Sequence, residues 1–223
     1  MGIVLNDSQN LFMLQTRSNS YAFGIDNQGL VRHLYWGSRI NAMEDFEMPE
    51  LAEVSTNDPV YEITKEEFPI YGGLRYKEHC LKVTFADGTR DVAYEYVNYE
   101  IQKNEQCEEL VIILKDKHYA LVMELHYKIY EAYDLMERFV VLKNESTEVM
   151  QIEKLHSGQF HVPYEGLNFR NVHGHWGAEQ QKFVQKVDYG KIIFENRRGI
   201  SSHNHNPYFI LDQDATETTG NVY

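Results

Sequence analysis

The chain has 223 residues, 43% hydrophobic and 25% charged, which is the make-up of a soluble globular protein with room for one large β domain or two small ones. Its 21 Lys and Arg against 34 Asp and Glu give a formal net charge of −13, and the basic residues are scattered, which excludes a nucleic-acid face and disfavours an anionic membrane surface. No apolar run approaches a membrane span, residues 1–20 hold no secretory core, and Cys80 and Cys107 make no disulfide framework, so free buried thiols in a reducing cytoplasm are expected.

Aromatics reach 13%, with 16 Tyr, a bias toward half-buried strand faces. The dominant period along the chain is two. Tyr21, Phe23 and Ile25 alternate with Ala22, Gly24 and Asp26, then Asn27-Gln28-Gly29 turns the chain and Leu30 to Trp36 returns. Met43 to Glu67 is the least patterned and most acidic section, read as a long loop with room for one helical turn. Val83-Thr84-Phe85, the turn around Asp87-Gly88, and Val92 to Tyr96 read as a hairpin. Leu121, Met123, Leu125, Tyr127 and Ile129 share one face of a strand, with Arg138 to Leu142 as its partner. Gln151 to Leu155, Lys182 to Val187 and Lys191 to Phe194 read as further strands, the last two joined by Asp188-Tyr189-Gly190. Thr219 to Tyr223 reads as the opening of a strand that is cut off, as in an excised fragment. Short strands with polar turns specify an all-β, antiparallel sandwich.

Three groups of residues carry candidate chemistry. His173/His175 and His203/His205 are each spaced i,i+2, which in a strand puts both imidazoles on one face, a pattern open to a transition metal; chance pairing in a chain with 10 His explains it without one. Trp176 stands between Gly174 and Gly177, a setting that exposes an indole and suits the C–H face of a sugar. Trp36 reads as core. A glycosidase needs two carboxylates across the scissile bond, ~5–5.5 Å apart in a retaining enzyme. The densest early acids, Glu44-Asp45-Phe46-Glu47, fit no catalytic motif and read as a solvated loop face. No Ser-His-Asp or Cys-His signature stands out.

The segment Glu195-Asn196-Arg197-Arg198-Gly199-Ile200-Ser201-Ser202-His203-Asn204-His205-Asn206-Pro207-Tyr208-Phe209 is too specific for generic scaffold. It resembles the "RRG-x-SSH-x-x-NP-hydrophobic" signature of the N-terminal β-sandwich of glycoside hydrolase family 36, the bacterial α-galactosidases of melibiase and raffinose type. Other elements follow in that family's order. Ser20 to Phe23, Gly29-Leu30-Val31 and Leu34 to Gly37 resemble its opening hairpin, and Glu67-Phe68-Pro69-Ile70-Tyr71-Gly72 its "EYPxYG". Asp134 to Asn144, containing Glu137-Arg138, His173 to Gly177, and Gly220 to Tyr223 match three more.

The resemblance implies a galactose-mutarotase-like β-supersandwich filling residues 1–223 as one N-terminal domain, with the catalytic (β/α)8 barrel and a C-terminal β domain of the parent enzyme outside this chain. It implies a retaining α-galactosidase whose two catalytic Asp lie on that barrel, so this chain alone is expected to be inactive. It further implies a galactoside substrate, a homotetramer, a cytoplasmic home, and no cofactor or metal. It places Trp176 against the sugar. A family Asp after the first hairpin aligns on Ala52, leaving Glu50 and Glu53 as loop carboxylates near the pocket. Tyr71-Gly72-Gly73-Leu74-Arg75 departs from the family's "YGTGDFR", and His175 and Ala178-Glu179 stand where "A" and "RE" are commoner, which points to altered packing or specificity. Two other readings stay open: a free-standing carbohydrate-binding or structural sandwich, and a small metal-dependent β-barrel enzyme built on the His-x-His pairs.

Overall fold

Alternation of apolar and polar residues produces strands wherever one face can be buried, and antiparallel strands follow one another through short turns. The computed structural model describes residues 2–44, 46, 48, 64–73, 75–163, 166–197, 199, 204–220 and 222–223. The chain divides into two compact units, Met1–His161 and Val162–Tyr223.

The first unit opens with β1 (Ile3–Asn6), β2 (Leu11–Gln15), β3 (Asn19–Ile25) and β4 (Val31–Ser38), an antiparallel sheet in chain order. β5 (Leu81–Thr84) follows, then a second sheet in chain order, β6 (Tyr94–Lys103), β7 (Glu108–Asp116), β8 (Leu121–Tyr130) and β9 (Leu135–Asn144). β10 (Gln151–Leu155) returns to pair with β5. The sandwich core is shared by both large sheets: Phe12, Tyr21 and Phe23 from the first, Leu110, Ile112, Met123, Leu125 and Tyr127 from the second. Phe23 stacks on Tyr127 at 4.8 Å, and Phe12 meets Tyr99 edge-on at 5.3 Å, so the layers touch through rings. β2 is buried on both faces. Phe12 and Leu14 point into the main core, while Leu11 and Met13 join a smaller cluster with Met43, under Ile40, Phe46 and Met48.

The strands of the β3–β4 and β8–β9 hairpins fall where the alternation places them, and Trp36 packs half-buried against the core. Two expectations need correction. Asp87-Gly88 does reverse the chain, with Phe85 N bonded to Thr89 O at 2.9 Å, but no ladder follows. β5 pairs with β10 and β6 pairs with β7, and Leu81, Val83, Val92 and Tyr94 are all buried in that arrangement. Residues Lys191 to Phe194 are not a strand; Phe194 instead lays its ring on Phe169 at 4.9 Å.

The second unit is a three-stranded sheet, ordered β12-β11-β13, from β11 (Asn168–His175), β12 (Ala178–Lys186) and β13 (Ile210–Asp212). Leu211 and Tyr223 exchange two backbone hydrogen bonds of 2.9 Å, so the segment read as the opening of a strand meets β13 in an isolated bridge at Val222. Cys80 is buried and Cys107 half-buried, both free; burial pushes the Cys80 thiol up to about 11. Among the described residues no helix is long and apolar enough to cross a membrane.

Candidate functional site

The first unit concentrates its polar chemistry in its interior. The origin is a β-bulge in β4: Trp36 opposes Tyr21 and His33 opposes Phe23, although His33 and Trp36 are three residues apart. A regular strand would send them to opposite faces; the extra residue, Leu34, lets both face the core. The segment at 65–67 then pairs along β4, with His33 N bonded to Lys65 O at 2.8 Å and Glu67 N to Val31 O at 3.0 Å. That pairing carries Glu67 inside, to 0% exposure.

A buried carboxylate survives only with partners. Tyr21 Oη donates to Glu67 at 2.6 Å, Tyr127 Oη at 3.0 Å, and His33 donates from Nδ1 at 2.9 Å. Arg138, opposite Tyr127 in the β8–β9 ladder, lies 3.0 Å from Glu67 Oε2 through Nη1, and its Nη2 donates to the Glu67 carbonyl at 2.6 Å. Burial alone would raise the Glu67 pKa; Arg138, His33 and Tyr21 outweigh it and hold the carboxyl below its ordinary range. The same burial, with Glu67 alongside, pushes the phenols of Tyr21 and Tyr127 well up, so both stay protonated donors.

A second network adjoins it. Asp26 closes the β3–β4 turn by accepting from Gln28 N and Leu30 N at 2.9 Å each, and its other oxygen accepts from Arg32 Nε at 2.7 Å. Arg32 Nη1 donates to Thr64 Oγ1 at 2.6 Å, and Arg75 Nε to Glu66 at 3.0 Å. Three interior carboxylates, Asp26, Glu66 and Glu67, thus face three guanidinia, Arg32, Arg75 and Arg138. Each carboxylate is paired with a guanidinium, although Arg32 Nη2 and Arg138 Nε are buried without a hydrogen-bond partner; the pairing suits a scaffold and not an acid–base pair waiting for substrate.

The second unit presents its chemistry outward. His175 and Ala178 oppose each other, so Trp176-Gly177 is a two-residue hairpin tip. Gly177 takes φ of 80°, which a β-carbon would strain, and its N–H is held by Glu179 Oε1 at 2.9 Å. At Gly174 the strands come too close for any side chain, a β-carbon there meeting Ala178 O at 2.6 Å. The result is an indole at 90% exposure on a short, well-fixed tip. Behind it, Phe169 stacks on Phe194 and on Phe209 (5.3 Å), and His205 meets Phe194 edge-on at 4.8 Å.

The comparisons with known proteins bear on this whole arrangement. The sequence model of the glycosyl hydrolase family 36 N-terminal domain matches residues 29–223. The chain belongs to that family. It is similar to the probable alpha-galactosidase G of Aspergillus terreus, 26% identical over 95% of this chain and 31% of that protein. It superposes on the crystal structure of the GH36 alpha-galactosidase AgaB from Geobacillus stearothermophilus with a TM-score of 0.87 at 23% identity, covering 100% of this chain and 34% of that one. A structure of AgaA from the same organism in complex with raffinose gives 0.83 at 24% identity, covering 95% and 33%. The chain therefore spans about a third of the length of the relatives it matches.

In this family 36 N-terminal domain, the motif residues Glu67 and Arg138 meet as partners inside the sandwich. The sequence reading named both segments and gave neither residue a role. One signal was available: Met136, Arg138, Val140 and Leu142 share one face of β9, which puts a cation in an apolar stripe. Glu50 and Glu53 lie outside the described residues, as do Ala52, Arg198 and His203. His173 and His205 lie 6.1 Å apart with rings at right angles, and a register shift interrupts the ladder between His173 and His175. Among the described residues no group of three or more His, Cys, Asp or Glu is placed to hold a metal ion.

Proposed function

We propose that this chain is the non-catalytic N-terminal part of a retaining α-galactosidase that removes terminal α-D-galactosyl residues from sugars such as melibiose and raffinose. The observation that carries the reading is the family match over 29–223, together with α-galactosidase relatives of whose length the chain spans 31–34%. The interior carboxylates of the first unit support it, since Asp26, Glu66 and Glu67 are committed to guanidinia and Asp116 to the backbone N–H groups of Ala93, His118 and Tyr119. The catalytic Asp pair then belongs to a barrel elsewhere in the polypeptide, followed by a C-terminal β domain, and residues 1–223 work as one N-terminal module.

Within that module Trp176 is the sugar contact, its exposed ring offered to the C–H face of galactose. Glu50 and Glu53 are the loop carboxylates near the pocket. Exposed apolar side chains of the second unit, including Val184, Tyr208 and Phe209, support assembly into a homotetramer. Two free thiols and a net charge of −13 favour a cytoplasmic enzyme.

The test uses the full-length polypeptide. Trp176→Ala should raise KM for raffinose about tenfold and change kcat much less, the loss of one ring contact. An unchanged KM would remove Trp176 from the site. Sedimentation of the same preparation should give a tetramer.

A further inference from the structure

The most unusual feature of the first unit is what surrounds the outer side of the Arg138 guanidinium, which is 2% exposed. Four consecutive residues, the last of the unit, close over it. A β-carbon at Gly158 would come within 2.9 Å of Arg138 Nε and 3.2 Å of Cζ, so a side chain there would push the guanidinium and the segment apart. Arg138 Nη1 donates to the Gln159 carbonyl at 2.7 Å. Cζ lies over the Phe160 ring at 5.3 Å from its centroid and over the Tyr127 ring at 5.0 Å, so two aromatic faces contact the cation. His161 donates from Nε2 to Glu66 O at 3.0 Å, with its ring 5.2 Å from His33.

The segment itself is irregular. It has no strand, and Phe160 is 46% exposed. Among the described residues, the last backbone–backbone hydrogen bond before the unit boundary is His156 N to Cys80 O at 2.8 Å. Apolar burial is therefore modest, and the hold comes from Arg138, whose own position is set by Glu67, together with the His161 bond to Glu66 O and the Phe160 contact with Trp36.

We propose that Arg138 is a latch: docked on Glu67, it clamps Gly158–His161 to the sandwich, and the exit of the chain from the first unit opens and closes as a small unit while the sandwich stays folded. Arg138 is a positioning residue, acting through Gln159 and Phe160. Release costs the cation two contacts that water can replace, whereas its bonds to Glu67 stay in place, so the segment sits at the low-stability end of the fold.

The structure supplies its own reporter. The chain has two Trp, and Trp36 lies 5.5 Å from Phe160. In a Trp176→Phe background, Trp36 emission and acrylamide quenching read whether the segment is docked. Phe160→Ala sets the signal of an uncovered Trp36. Gly158→Ala, which leaves every charge in place, and Arg138→Lys, which keeps the charge but loses the fork, should both shift Trp36 emission to the red and raise quenching to the Phe160→Ala level. This should occur in urea too dilute to change the far-ultraviolet circular dichroism of the sandwich. If Arg138→Lys fails to fold, Gly158→Ala decides alone. A Gly158→Ala chain with parental Trp36 emission and quenching would overturn the proposal. So would Trp36 signals that move only together with global unfolding, the behaviour of a merely structural ion pair.

Discussion

The two units of this chain spend their side chains in opposite ways. Met1–His161 buries a continuous apolar core and, inside it, a neutral set of charges anchored on Glu67 and Arg138. Val162–Tyr223 buries, among the described residues, only Leu167, Asn171 and Asp212, while Trp176 and Tyr189 stand 90% and 100% exposed. A fold stabilises itself through what it buries, and large exposed apolar groups mark surfaces meant for contact. The first unit therefore carries its own stability, while the second is mostly surface.

Substitutions should separate the two. Glu67→Gln strands a buried guanidinium and should cost about 3–5 kcal/mol in urea unfolding followed by circular dichroism. Leu125→Ala, at a position with 0% exposure, should cost about 2–5 kcal/mol through its cavity. At the hairpin tip, Gly177→Ala meets no neighbour within 4 Å and suffers only from its φ of 80°, so about 1 kcal/mol is expected, confined to the β11–β12 hairpin. Val184→Ala, on the exposed face of β12 in the single chain, should change the unfolding free energy of the 223-residue chain by no more than about 0.5 kcal/mol. A Val184 effect as large as that at Leu125 would erase the contrast between the units.

Acid should act on the first unit through Glu67. Its folded pKa lies below the ordinary 4.5, so the unfolded chain takes up the proton more readily. The stabilisation is complete above about 4.5 and is lost as pH falls through the lower folded value. Urea midpoints should fall over that range, and the Glu67→Gln chain should lack that part of the slope.

Much of the scaffold was legible in the sequence because its strands obey period two. The β8 stripe from Leu121 to Ile129 is an example, buried at every second residue. Legibility failed where a non-local choice decided. β5 could take either neighbour, and it pairs with β10, far along the chain. The bulge at Leu34 changes the facing of His33 by one residue, which no alternation rule reveals. The polar interior was hidden for the same reason: Glu67 and Arg138 are 71 residues apart, and only the sheet register brings them together. The exposed Trp176 was legible from its flanking glycines, since Gly174 permits the close strand approach and Gly177 the reversal.

The most direct test of the central claim is galactose release from raffinose by the purified 223-residue chain, beside the full-length polypeptide that contains it. The account predicts no turnover by the chain and ready turnover by the full-length protein. Hydrolysis by the chain alone would contradict it, because the interior carboxylates Asp26, Glu66 and Glu67 are committed to guanidinia.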